Sequence, residues 1–201
     1  MSFSLEKGQQ IDLKKSSGDS LKNLIVGLGW DVNQQQENKG LYETLFVDKD
    51  NFDCDASAVL CVDGKFKNID DLVFFGNLEH VSGSVIHQGD NLTGEGDGDD
   101  EQISVMLDKV PAEYDKIVFI VNIYECEARN LHFGMINNAF IRIVDADSGE
   151  EFCKFDLTDD YSGKTALIAG EVYKKDGTWK FNAVGQGTND KTVIELADRY
   201  L

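Results

Sequence analysis

Apolar positions along the chain fall in short runs, continuous or alternating, and seldom at helical spacing. Residues 117–124 combine Ile117, Val118, Phe119, Ile120, Val121, Ile123 and Tyr124 around a single Asn122. A near-continuous run so rich in β-branched and aromatic side chains predicts a strand buried on both faces. Residues 24–30 and 56–62 predict two more central strands. Residues 103–107 and 140–144 alternate apolar with polar, as half-buried strands do. Asp63-Gly64, Asp147-Ser148-Gly149 and Asp176-Gly177 punctuate these runs. They read as hairpin turns, because Asp and Gly tolerate positive φ. Asp176-Gly177 is expected to join residues 172–174 to 179–182.

Helical signals are few. Val193, Ile194, Leu196 and Ala197 form a stripe that predicts a short C-terminal helix within 192–200. Residues 127–131 suit one helical turn. The only proline, Pro111, falls in a connection between strands, where its missing N–H costs nothing. Many short strands in 201 residues predict an all-β, two-sheet β-sandwich forming one domain over residues 1–201. With 41% hydrophobic and 10% aromatic residues, the chain can fill such a core.

Charge sharpens the reading. Asp and Glu number 37 against 19 Lys and Arg, a formal net charge of −18. Such a surface repels nucleic acid and anionic lipid and attracts cations. Cys54, Cys61, Cys126 and Cys153 are scattered, with no CxxC pair and no histidine at zinc spacing. They read as small buried apolar residues in a reducing compartment. The first residues lack a basic start followed by an apolar run, and no apolar stretch nears the roughly 20 residues of a membrane span. A cytoplasmic protein is expected, without membrane insertion, and any attachment to the inner membrane is expected through partners.

The acidity is concentrated. Residues 87–101 carry Asp90, Glu95, Asp97, Asp99, Asp100 and Glu101 with Asn91, four glycines between Asp90 and Glu101 or beside them, and no Lys or Arg. Glycines let the backbone turn sharply so that carboxylates converge and carbonyls point inward. Carboxylates held together repel, which a hard cation reverses; calcium takes six to eight oxygens at about 2.3–2.6 Å in irregular geometry. Counting from Asp90, Leu92 is third and Glu95 sixth, where an EF-hand needs an oxygen ligand and glycine, so a strand-flanked site is required instead. Asp53 and Asp55 precede or open a predicted strand and, two apart, face one side of an extended segment. Asp31 follows Trp30 at the end of another strand. The expected ligand set is therefore Asp31, Asp53, Asp55, Asp90, Asn91, Glu95, Asp97, Asp99, Asp100 and Glu101, sharing one site or two adjacent ones, with two calcium ions expected.

At these residues the chain resembles the TerD family, which includes tellurium-resistance proteins and slime-mould proteins first described as cyclic-AMP binders. The matching elements are residues 27–31 (GLGWD), 53–58 (DCDASA), 85–101 (VIHQGDNLTGEGDGDDE), 138–142 (NAFIR) and 179–181 (WKF), in an order spanning nearly the whole chain. Cys54 stands where relatives often carry leucine. The resemblance implies a β-sandwich that binds calcium and works beside other proteins of the same resistance system.

Catalysis has little to stand on. Gly94-Glu95-Gly96-Asp97-Gly98 lacks the lysine of a phosphate-binding loop, and its carboxylates repel phosphate. His87 is expected to be a hydrogen-bonded structural residue, as are His80 and His132, and no nucleophile is spaced to partner His87. Reduction of an oxyanion calls for reactive thiols in electropositive surroundings, contrary to the overall charge. The expected function is a calcium-binding, non-enzymatic scaffold in a bacterial tellurium-resistance and stress-response system. The alternatives are a metal-dependent phosphohydrolase, since paired carboxylates can serve hydrolysis, and a nucleotide-binding module, suggested only by the cyclic-AMP association.

Overall fold

The computed structural model describes residues 2–32, 53–89 and 98–201. Twelve strands among these residues form two six-stranded sheets. In the first, the order is β1 (Phe3–Leu5), β10 (Glu150–Asp156), β9 (Ile136–Asp145), β3 (Asn23–Val32), β7 (Glu101–Met106) and β6 (Val85–His87). In the second it is β2 (Gln10–Asp12), β12 (Thr178–Thr188), β11 (Ala166–Lys175), β8 (Tyr114–Ile123), β4 (Cys54–Val62) and β5 (Leu72–Val73). All pairings are antiparallel except β1 with β10.

Burial explains the two kinds of apolar run. The first sheet meets the second through one face only, so β7 alternates buried and half-buried residues, with Glu101, Ile103 and Val105 turned inward. The second sheet is covered twice. Its inner face supplies Ala56, Ala58, Leu60, Ile117, Phe119 and Val121 to the main core. Its outer face packs Val59, Cys61, Val118, Ile120, Ala166 and Ile168 against Val193, Leu196 and Ala197 of helix α2 (Val193–Ala197). Strands β4 and β8 are thus buried on both sides, which is why they lack polar alternation. Thr192 caps α2 by accepting the Glu195 N–H at 3.2 Å, and a 3₁₀ turn, Asp198–Tyr200, follows it. Helix α1 (Cys126–Arg129) is the expected single turn, begun one residue earlier. No helix among the described residues is long and apolar enough to cross a membrane.

Asp176 and Gly177 adopt φ of 52° and 75° and join β11 to β12, the two-residue turn that Asp-Gly favours. Asp63-Gly64, with φ of 54° and 70°, also reverses the chain, but only the bridge between Val62 and Lys65 follows it. The strand that pairs with β4 on that side returns only as β5. Asp147-Ser148-Gly149 closes the β9–β10 turn, with the Gly149 N–H donating to the Asp145 carbonyl at 2.8 Å.

Antiparallel register decides which ends lie together. Leu28 near the end of β3 pairs with Glu101 at the start of β7, and Cys54 at the start of β4 pairs with Ile123 at the end of β8. A hydrogen bond from Ala56 to Glu101 joins these two ends across the sheets. Asp31, Asp53, Asp55, Asp99, Asp100 and Glu101 consequently share one end of the sandwich.

Candidate metal centre

Strand β5 pairs only with Ala58 and Val59, so the backbone of β4 at Ala56 has no strand on that side. Two side chains from the first sheet cover it. Glu101 is 2% exposed, and its Oε2 accepts the Ala56 N–H at 2.5 Å. His87, also buried, places Nε2 3.1 Å from the Ala56 carbonyl oxygen. His87 Nδ1 accepts the Gly89 N–H at 3.2 Å, which assigns the ring proton to Nε2 as donor to Ala56. The same Nε2 stands 3.5 Å from Glu101 Oε2. His87 therefore has the structural role its sequence context suggests, while Glu101 stitches a buried strand edge as well as standing in the acidic motif.

Asp55 lies on the outer face of the second sheet, opposite Asn122 of β8 in the register. Both are 4% exposed, and Asn122 Nδ2 donates to Asp55 Oδ2 at 3.2 Å. The Asp53 carbonyl accepts the Tyr124 N–H at 2.8 Å, tying the residues before β4 to those after β8. Between the two aspartates, Cys54 is fully buried. Burial pushes its thiol well above the ordinary range, and the charges of Asp55, Glu101, Asp53 and Asp100 push it further. Burial also holds the Cys126 thiol up, and lifts Cys61 and Cys153 to about 12, so none of the four cysteines offers a ready thiolate.

The remaining carboxylates lie on the first sheet. Asp99 folds over Gly27, where its Oδ1 accepts from Arg142 Nε at 2.7 Å and its Oδ2 from Arg142 Nη2 at 3.1 Å and Gln102 Nε2 at 2.9 Å. The Asp99 side chain is 1% exposed in this fork. Asp100 Oδ2 accepts the Trp30 N–H at 2.7 Å, and its own N–H donates to the Leu28 carbonyl at 2.8 Å. Burial raises the Asp100 pKa, the Trp30 N–H opposes this, and the charges of Asp31 and Asp99 add to it. Asp31 is exposed and accepts from Asn138 Nδ2 at 2.7 Å.

A Cβ at Gly27 would overlap the Asp99 carboxylate. Gly27→Val should therefore push Asp99 off Arg142 and destabilise by about 1–3 kcal/mol, the usual cost of overpacking. At roughly 2–4 °C per kcal/mol for a chain of this size, a thermal melt reads the loss directly. An unchanged midpoint would show that the close approach carries no structural weight.

Asp90, Asn91, Glu95 and Asp97 lie outside the described residues. Among the described residues, no three His, Cys, Asp or Glu side chains form a group that holds a metal. By type, the carboxylates of Asp53, Asp55 and Glu101 are the oxygen donors that a hard cation takes, and the buried Asn122 Oδ1 has no hydrogen-bond partner among the described residues. Asn122, opposite Asp55 in the register, is a buried polar position that sequence reasoning passed over. Its signal was a lone amide inside an otherwise apolar strand.

The TerD domain family matches residues 1–200. Stress response protein SCP2 of Bacillus subtilis (strain 168) is 50% identical over 202 aligned residues, covering 100% of both chains. Tellurium resistance protein TerD of Serratia marcescens is 47% identical over 188 residues, covering 93% of this chain and 91% of the relative. A crystal structure of a homologue of telluride resistance protein from Streptomyces coelicolor A3(2) superposes with a TM-score of 0.62 at 19% identity, over 87% of this chain and 95% of that one. At that identity the structural likeness speaks for the fold alone. The family match along the chain, with relatives near half identity, places this protein in the TerD family of tellurium-resistance and stress-response proteins.

Proposed function

We propose that this chain binds calcium at the acidic end of the sandwich and serves a bacterial tellurium-resistance and stress-response system as a binding or scaffold component, without catalysis of its own. The observation that supports the reading is the register that brings Asp31, Asp53, Asp55, Asp99, Asp100 and Glu101 to one end of the sandwich, where the Ala56 N–H donates to Glu101 Oε2. Gly89 and Gly98 stand after β6 and before β7 at this same end, and residues 90–97, with Asp90, Asn91, Glu95 and Asp97, link them in sequence. Asp53, Asp55, Asp31 and Asp100 with that segment would hold the ions. Glu101 lends a carboxylate oxygen to the strand edge. Asp99 is held by Arg142 just ahead of β7.

Calcium, once bound, supplies positive charge among carboxylates that otherwise repel. The residues themselves argue for holding an ion more than for turning over a substrate. His87, the nearest candidate base, spends both ring nitrogens on the backbone of Ala56 and Gly89. The oxygen-rich, irregular set favours calcium over magnesium, which demands near-octahedral geometry and keeps its waters.

Titration calorimetry tests this. Calcium is expected to bind in or below the ~10⁻⁷–10⁻⁵ M range of sensor sites, with magnesium far weaker. Asp53→Asn and Asp55→Asn should each weaken calcium binding at least about tenfold, or roughly 1.4 kcal/mol. Asp147→Asn and Asp176→Asn should leave it intact, since both residues serve turns that asparagine also suits. Equal affinities for the two metals, or turn variants as damaging as the site variants, would show that bulk charge and not a built site attracts the ion. Phosphate release from nucleotides or phosphomonoesters in step with metal occupancy would favour the hydrolase reading instead.

A further inference from the structure

Just ahead of β6 the chain reverses over residues 80–85. The His80 N–H donates to the Val85 carbonyl at 3.0 Å and the Gly83 N–H to the His80 carbonyl at 2.7 Å, with Gly83 at a φ of 66°. At this turn an aspartate, a histidine and a serine meet. His80 is 1% exposed and Asp71 6%, whereas Ser82 is half-buried. His80 Nδ1 accepts the Ser82 N–H at 3.3 Å, which places the ring proton on Nε2, 3.4 Å from Asp71 Oδ1. The Ser82 hydroxyl, 2.6 Å from the bare Nδ1, is then the donor of that pair. With that proton committed, Ser84 is the donor in its 2.7 Å contact with Ser82 Oγ, and the Ser84 N–H donates to the same oxygen at 3.2 Å. Tyr114 holds the far side. Its hydroxyl donates to Asp71 Oδ1 at 2.5 Å, and its ring stands edge-on to the imidazole with centroids 5.3 Å apart.

The contacts between Ser82 and Ser84 are ones that serine makes in turns generally. A buried imidazole with its bare nitrogen on a hydroxyl and a carboxylate behind it is more than a turn requires. That order of groups activates a nucleophile, and it is recognised by geometry and roles, whichever ring nitrogen faces the serine. We propose that Ser82 is a nucleophile that accepts an acyl group from an activated ester or thioester, with His80 as general base and Asp71 orienting the imidazole. Ser82 Oγ forms a bond to the acyl carbon while its proton passes to His80 Nδ1. The bond from that carbon to the leaving oxygen or sulfur then breaks, and the leaving group takes the proton from His80. The products are a Ser82 ester and a free alcohol or thiol, a covalent mark on the chain and not a turnover. Charge selects the donor. Asp70 and Glu79 are exposed beside Asp71 and His80, and the net charge of −18 disfavours anionic phosphoryl donors. Val81 is 88% exposed and Leu78 46%, which suits a neutral donor with an apolar acyl chain. No residue of this site belongs to the calcium reading, so the two stand separately.

The test treats the full chain with p-nitrophenyl acetate and locates acetyl groups over time by peptide mass spectrometry. Ser17 and Ser148 serve as internal standards, being exposed serines whose hydroxyls donate to Asp19 and Asp145. A positioned general base contributes ~10²–10⁴-fold, so Ser82 should be acetylated about 100-fold faster than either. Ser82→Ala should abolish the fast phase of p-nitrophenolate release and leave the melting temperature and calcium calorimetry unchanged. His80→Gln should slow acetylation of Ser82 by a similar factor, because glutamine cannot take the proton. Should His80→Gln fail to fold, Ser82→Ala and the comparison with Ser17 and Ser148 decide. Equal acetylation of the three serines, or a fast phase that survives Ser82→Ala, would overturn the proposal and leave the network as a support for the turn.

Discussion

Glu101→Ala is expected to destabilise this protein by about 2–4 kcal/mol, from the loss of a hydrogen bond to a charged group and the exposure of an unpaired donor. Glu101 is the acceptor for the Ala56 N–H at a point where β4 has no neighbouring strand on that side. Removing the carboxylate leaves a buried backbone N–H unanswered and opens space between the sheets. At roughly 2–4 °C per kcal/mol, the midpoint of thermal unfolding should fall by about 5–15 °C. Glu101→Gln retains a carbonyl oxygen for the same N–H and should keep most of that stability while still weakening calcium binding. The pair separates two duties of one residue. If alanine and glutamine are equally harmful to the metal-free fold, the hydrogen bond is not what holds the sheets together here. If alanine leaves the melt unchanged, the strand edge needs no cap.

The second large effect is stabilisation by the ion. A ligand that binds only the folded chain adds about 2.7 kcal/mol at a free concentration 100 times its dissociation constant. The melting temperature should then rise by roughly 5–11 °C in calcium and return to its starting value in excess chelator. The formal charge of −18 works in the same direction, because neutralising clustered carboxylates relieves repulsion that opposes the compact state. Magnesium at equal concentration should give a much smaller rise. A melting curve indifferent to calcium and chelator would leave the acidic end as a solvated surface and remove the basis of the proposed function.

Much of the fold was legible because its causes are local. Residues 117–121 are apolar in sequence because β8 is covered by the first sheet on one side and α2 on the other. Asp176-Gly177 turns as expected because its two positive φ values are a property of two residues. Thr192 ahead of Val193 marks a helix start for the same reason, an N–H three residues on being within reach of one hydroxyl. The crowding of acidic residues at one end was also readable, since Asp31, Asp53, Asp55 and Glu101 each sit at a strand end.

The division of labour among those carboxylates was decided only by the tertiary structure. Along the chain Asp99, Asp100 and Glu101 are three consecutive acids with nothing to distinguish them. In space Asp99 meets Arg142 over a glycine, Asp100 meets the N–H of Trp30, and Glu101 turns inward to Ala56. Each partner comes from a strand at least 43 residues away, the separation of Asp99 from Arg142 being the smallest of the three. Likewise Asp63-Gly64 signals a turn correctly, yet the short reach of β5, and with it the open edge at Ala56, is set by which strands pair. Turns, periodicity and net charge depend on neighbours in sequence. The role of a buried carboxylate depends on which donor the fold brings to it, and that donor belongs to another strand.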